Sequence, residues 1–203
     1  MQEPLMLPQS EVEGRLAPYV LDMQRVVLKA WMDWMASGLN GVWTCKRSRA
    51  VYVWEQMVVE AKRQFASNHN VSIVRKNESF LFLAGELAFR FKKSDPNGYT
   101  SNVPTQAALD YHDPQEDLPG IPSVQRLEIT YVLNKLETAV QDILLVARDQ
   151  GRVLWRSSIL RKDEGGNVVP LTVPGAPKPP ESAPKTLKVR VKSKANEKKE
   201  NES

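Results

Sequence analysis

Cysteine and histidine are nearly absent from this chain: its 203 residues include one cysteine, Cys45, and two histidines, His69 and His112. A single thiol cannot form an internal disulfide or a cysteine-rich zinc centre, and two histidines are too few for a His-rich metal site. A reducing compartment, the cytoplasm, is the expectation. Long apolar runs are also missing. The longest, such as Ser79 to Ala84, falls far short of the roughly 20 residues that a membrane-spanning helix needs, so no membrane segment is expected. The opening MQEPLMLPQSEVEGR is acidic and proline-broken, without the positive start and continuous apolar stretch of a secretory leader.

Several reaction signatures are absent as well. There is no G-x-x-x-x-G-K-[ST] loop to cradle phosphates, no G-x-G-x-x-G turn, no G-x-S-x-G elbow and no H-E-x-x-H helix, which excludes P-loop nucleotide hydrolysis and zincin chemistry. Neither Glu86 nor Glu128 has a lysine two residues later, so the E-x-K strand of many metal-dependent nucleases is missing. No cofactor is expected.

What the chain does have is an uneven charge. From Ala176 onward there are eight cations, Lys178, Lys185, Lys188, Arg190, Lys192, Lys194, Lys198 and Lys199, against the four carboxylates Glu181, Glu197, Glu200 and Glu202. That difference equals the net +4 of the whole chain, which leaves residues 1–175 with 20 cations and 20 carboxylates. The basic character belongs to the C-terminal segment and says nothing about the fold before it.

The apolar spacing predicts an α+β domain. Residues 1–15, with Pro4, Pro8 and Gly14, read as a flexible lead-in. Val20, Met23, Val27, Ala30, Trp31 and Trp34 recur at helical steps and predict a first helix over Pro18 to Ser37. A second is predicted from an N-cap at Ser48, with Val51, Trp54, Val58, Ala61 and Phe65 as its inner stripe. After Asn70 the pattern changes to short β-branched and aromatic runs: VSIV, SFLFLA, ELAFRFKK, RLEITYVL, DILLVA and RVLWRSSIL. Two N-terminal helices packed on an antiparallel sheet of about five strands are therefore expected. The domain would span 16–165, followed by a Pro-rich linker and a basic, disordered tail over 166–203. In ELAFRFKK, Leu87, Phe89 and Phe91 share one face while Ala88, Arg90 and Lys92 share the other, which reads as one packed and one wet face.

Candidate chemistry is sparse. Asp110 to Asp117 is the densest set of carboxylates, and it reads as solvated surface rather than a metal site. Arg90, Lys92 and Lys93, with Arg156, Arg161 and Lys162, are placed to form a cationic patch on the sheet, with Tyr99, Tyr111 or His112 near it. Their bland reading is as wet-face charges balanced by Glu86, Glu128 and Asp142. Lys46-Arg47-Ser48-Arg49 reads as a solvated turn. Trp31, Trp34, Trp43 and Trp54 read as core, or as a homo-oligomer interface through the helices bearing Trp31, Trp34 and Trp54. Lys185, Lys188, Arg190, Lys192, Lys194, Lys198 and Lys199 suit contact with phosphates or an acidic surface.

These features predict a non-enzymatic binding or adaptor protein, engaging nucleic acid or an acidic partner protein through the sheet face (Arg90, Lys92, Lys93) and the basic tail. The alternative is a small metal-independent ribonuclease or toxin-like enzyme using Arg90, Lys92, His112 and Arg156. A structural or oligomeric assembly protein is the third class.

Overall fold

The computed structural model describes residues 7–76, 79–100, 106–113 and 124–161. Lys162 and the tail cations from Lys185 to Lys199 lie outside the described residues. No helix among those described is long and apolar enough to cross a membrane.

The expected lead-in is helical from its ninth residue. Helix α1 covers Gln9–Leu16, with the carbonyl of Pro8 accepting from Glu11 N–H at 3.0 Å and Val12 N–H at 3.1 Å. Proline sits just before the first turn, where its missing N–H costs nothing, and Val12 and Leu16, one turn apart, are buried. A short 3-10 turn, Ala17–Tyr19, leads into α2, Val20–Ala36. Helix α2 buries Met23, Val27, Ala30, Trp31 and Trp34 along one stripe. Gly38, in the left-handed region at φ +73°, ends the helix and turns the chain.

Helix α3 spans Lys46–Phe65, with Cys45 rather than Ser48 as its N-cap residue. Its inner stripe is Val53, Met57, Ala61 and Phe65 at strict four-residue spacing, with Val58 beside it. Val51 is exposed and Trp54 only partly buried, so the predicted phase was off by about half a turn at the N-terminal end.

Six strands follow where about five were expected: β1 (Val71–Lys76), β2 (Ser79–Ala84), β3 (Leu87–Lys93), β4 (Gln125–Leu133), β5 (Val140–Asp149) and β6 (Arg152–Ser158). They lie side by side in chain order. All neighbours are antiparallel except β3 and β4, which run parallel, with Leu87 opposite Gln125 and Lys93 opposite Tyr131. The sheet is therefore mixed, not antiparallel. The cause is the connection 94–124, which crosses over to start β4 at the same end of the sheet as β3, as a parallel pair requires. A short helix, α4 (Gln106–His112), lies within that crossover.

Helices α2 and α3 cover one face of the sheet. Phe65 of α3 meets Phe82 and Phe89 at centroid distances of 5.8 and 5.9 Å, and the register partners Phe82 and Phe89 stack at 5.5 Å. Leu127, Ile129, Tyr131, Ile143 and Leu145 extend this core across β4 and β5. Burial of each phenylalanine contributes roughly 2–3 kcal/mol. Trp31 and Trp34 are buried in the same core, and Trp34 carries the more exposed Trp43 at 6.0 Å. Trp54 packs on Phe80 at 6.4 Å.

A carboxylate ties the layers together. Glu137, in the β4–β5 turn at φ +53°, accepts from Arg49 of α3 at 2.6 Å and Lys93 of β3 at 3.2 Å, and lies 3.2 Å from Lys46. The Arg49 guanidinium, opposed by the cost of burial and aided by Lys46 and Lys93, holds this carboxyl down to about 2.

Candidate functional site

The second face of the sheet is not wet. Alternation places Ala88, Arg90 and Lys92 of β3 on it, with Arg126, Glu128, Thr130 and Val132 of β4 and Leu144 and Val146 of β5. Arg90 is 8% exposed, Glu128 1% and Thr130 0%, and Val132, Leu144 and Val146 form a small apolar cluster. The expectation of an open face fails because α4 and the segment after β3 lie over it. Tyr111 of α4 is buried against Leu81, and the backbone of Gly98, at φ +86°, approaches Val146 closely.

A compact ionic cluster occupies this face. Arg90 and Glu128 are direct register partners across the parallel pair. Arg90 donates to Glu128 Oε1 through Nε at 3.1 Å and Nη2 at 2.8 Å. Arg148 Nε lies 3.2 Å from Glu128 Oε2, but the N–H is not aimed at the oxygen. Both atoms are buried without a hydrogen-bond partner among the described residues. Arg148 donates instead to the Gly98 carbonyl. Arg126 Nη1 donates to the carbonyls of Asp110 at 2.5 Å and Asp113 at 2.6 Å, fastening the end of α4 to β4.

Tyr111 and His112 complete the cluster. The Arg90 guanidinium lies 3.7 Å from the Tyr111 ring centroid, a cation–π contact. The Tyr111 hydroxyl donates to the Leu127 carbonyl at 2.7 Å. Burial pushes this phenol far above its ordinary range, so it stays protonated and spoken for.

His112 Nε2 is 3.1 Å from Arg90 Nη2 and 3.6 Å from Glu128 Oε1. Because arginine only donates, Nε2 accepts, and the ring proton belongs on Nδ1. Burial lowers His112 to about 4; Glu128 opposes the shift, while Arg90, Arg148 and Lys92 add to it. A ring that is neutral at pH 7, with Nε2 already accepting, is not in the imidazolium form that a general acid needs.

Lys92 is half-buried and has no hydrogen-bond or ion-pair partner among the described residues. Burial and the nearby Arg90 hold its ammonium below the usual lysine range, with Glu128 opposing. Beside it in register is Thr130, whose hydroxyl accepts from Ser94 at 2.8 Å.

The structure thus brings together Arg90, Lys92, Tyr111 and His112. Arg156 is on the same face, at the end of the cross-strand row Arg90, Glu128, Val146, Arg156, and is exposed. Three strand spacings, about 14 Å, separate its backbone from that of Arg90. Lys93 points to the helix side and pairs with Glu137. Glu86 pairs with Arg15 at 2.6 Å, and Asp142 accepts from Ser158 at 2.6 Å. Among the described residues no three His, Cys, Asp or Glu side chains cluster as metal ligands would. Residues 114–117 of the acidic connection lie outside those described.

Arg148 escaped the sequence reading, and Glu128 figured there as a balancing charge and as an acid lacking the lysine of an E-x-K strand. The alternation Arg126, Glu128, Thr130 opposite Leu127, Ile129, Tyr131 was a usable signal, but the parallel register that sets Glu128 against Arg90 was not visible. Set against family models, curated proteins and solved structures, the chain matches none. Its site is read on its own chemistry.

Proposed function

We propose that this protein is a non-enzymatic binding or adaptor protein that engages an anionic macromolecule, nucleic acid or an acidic protein. Contact would be made through the accessible cations of the sheet's second face, the half-buried Lys92 and the exposed Arg156, and the tail lysines. The observation that carries the reading is a charge imbalance. Among the described residues, Arg90, Lys92 and Arg148 lie around the buried carboxylate of Glu128, and the tail adds the chain's entire net charge. Buried or half-buried charge without a counter-ion is costly, so an excess of this kind favours an incoming anion.

The ribonuclease reading draws less support. It needs a proton donor near neutrality, and His112 is a neutral acceptor while Tyr111 is committed to a carbonyl. The assembly reading loses Trp31 and Trp34, which are buried within the chain, and retains the partly buried Trp54 with the exposed Met32 and Met35.

The test is a salt titration of binding to a fluorescent single-stranded oligonucleotide and, separately, to polyglutamate, using the full chain and a chain lacking 166–203. Affinity should fall linearly on a log–log plot with salt. Deletion should weaken binding and flatten that slope. Unchanged affinity and slope after deletion would refute the role of the tail.

A further inference from the structure

Resting on the reading of an adaptor for an anionic macromolecule, we propose that the partner is an acidic protein segment that sets one apolar side chain into the cavity at the α2–α3 turn and its carboxylates against the cations around it. Residues 38–54 hold three cations, Lys46, Arg47 and Arg49, and no carboxylate. The same stretch leaves apolar groups in solvent: Val42 is 74% exposed and Trp43 41%. Apolar side chains scattered singly over a surface are ordinary, but these are contiguous with a third. Asn40 Nδ2 lies 3.9 Å from Met35 Sδ, and Met35, at the end of α2, is exposed as well.

The turn is held in place from inside. The Leu39 carbonyl accepts from Val42 N–H at 3.0 Å and Trp43 N–H at 2.8 Å. The Trp43 ring rests on the buried Trp34 at 6.0 Å and on Tyr52 at 6.4 Å. Val42 and Trp43, with Thr44, Cys45 and Ser48, line an open cavity of about 270 Å³. This is smaller than the roughly 300–1,000 Å³ of small-molecule sites and suits one leucine- or phenylalanine-sized side chain. A wall already fixed by packing lowers the ordering cost of binding. Charge then selects the partner. Arg47 lies within electrostatic reach of the Cys45 thiol on the cavity wall, and the Lys46 side chain is exposed. Glu137 draws the β4–β5 turn, with its exposed Lys135 and Leu136, against this end of α3 through Lys46 and Arg49. That carboxylate is already shared by three cations, and Arg47 and Lys135 have none among the described residues. A second copy would set these cations against themselves. Nucleic acid would meet a surface more apolar than its interfaces use. An acidic segment with an apolar anchor satisfies both the aromatic wall and its cationic rim.

The experiment is fluorescence anisotropy of two labelled peptides, EEDLFEELEED and its anchor-free analogue EEDAAEEAEED, titrated with the full chain at constant ionic strength. Burying one large apolar side chain corresponds to a factor of about ten in affinity, so the first peptide should bind about tenfold tighter than the second. Val42→Glu should abolish that preference, and Val42→Ser repeats the test should the charged variant misfold. Arg47→Glu should weaken both peptides about fivefold or more. Arg152→Glu makes the same change of charge beside Asp149, the last residue of β5, whereas Val140, its first, adjoins the Glu137 turn. The two ends lie about 30 Å apart, and this control should stay within about twofold of the unaltered chain.

Equal affinity for the two peptides, or a preference that persists in Val42→Glu, would each overturn the site. Displacement of the peptide by oligothymidylate, lost in Val42→Glu, would make the patch a nucleic-acid face and overturn it too. So would sedimentation with phosphatidylserine vesicles that Val42→Glu abolishes, which marks a membrane contact. The two readings fail separately. Salt-dependent binding of polyglutamate or oligonucleotide through the tail, with no preference between the peptides, sinks the site and leaves the adaptor reading. A preference for the anchored peptide, with no effect of deleting 166–203 on polyglutamate or oligonucleotide, sinks the role of the tail and leaves the site.

Discussion

His112 makes a sharp prediction about acid stability. The ring is 12% exposed, accepts from Arg90 and is lowered from the ordinary 6.5 to about 4. A base whose folded value is depressed is protonated more readily in the unfolded chain, so its effect appears as pH falls through 6.5 and saturates below about 4. Each unit of difference corresponds to 1.36 kcal/mol, which gives a loss of about 2 kcal/mol between pH 7 and pH 4.5. That window is clean, because the depressed carboxyls Glu60 and Glu137 withdraw their stabilisation only below the ordinary carboxylate value near 4.5. Urea unfolding followed by tryptophan fluorescence at half-unit steps from pH 7 to 4.5 measures the slope directly. His112→Gln keeps an acceptor for Arg90 and removes the titration, so its stability should be nearly flat across the window. His69→Gln, at the exposed second histidine, should retain the wild-type slope. An unchanged slope in His112→Gln would refute the assignment of a buried, neutral ring.

Two further outcomes follow from the fold. Glu137→Gln removes the shared partner of Lys46, Arg49 and Lys93; since the carboxyl is partly exposed and screened, the expected loss is about 1–2 kcal/mol, or about 2–6 °C in Tm by calorimetry. The loss should be present above pH 4.5, vanish as pH falls toward 2, and shrink in high salt. Gly98→Ala asks a left-handed position at φ +86° to carry a Cβ 3.3 Å from Val146, and should lower the urea midpoint by the equivalent of about 1–2 kcal/mol.

Legibility in the sequence depended on periodicity that had only one phase. In α2 the apolar residues Met23, Val27, Ala30 and Trp34 admit a single buried stripe, and the helix was found to within two residues at its start and one at its end. In α3 the block Val51-Tyr52-Val53-Trp54 is apolar at four successive positions, so any face could be the inner one. Packing against α2 and β3 chose Val53. Strand segments were visible through β-branched and aromatic runs, whereas the direction of β4 was not. Direction depends on where residues 94–124 return, and no local pattern encodes that. The same gap concealed the site. Arg90 and Lys92 were identifiable by alternation, but their burial, and the meeting of Arg90 with Glu128 and His112, exist only once the crossover has laid α4 on the sheet.

The parallel seam also orders events in time. On either side of it the strands are knit by near neighbours: β1–β3 before, and the meander β4–β6 after. Closing a loop costs entropy that grows with its length, and joining β3 to β4 means closing the whole of 94–124, far longer than any hairpin turn in the sheet. Contacts across such a separation form late. Arg90 stands on one side of the seam and Glu128 on the other, so their paired hydrogen bonds have no precursor in either half, whereas Arg148 and Glu128 already share the β4–β5 pair. The Arg90 contact comes into being only as the two halves join, and a chain stalled short of that step would carry Arg90 without its carboxylate.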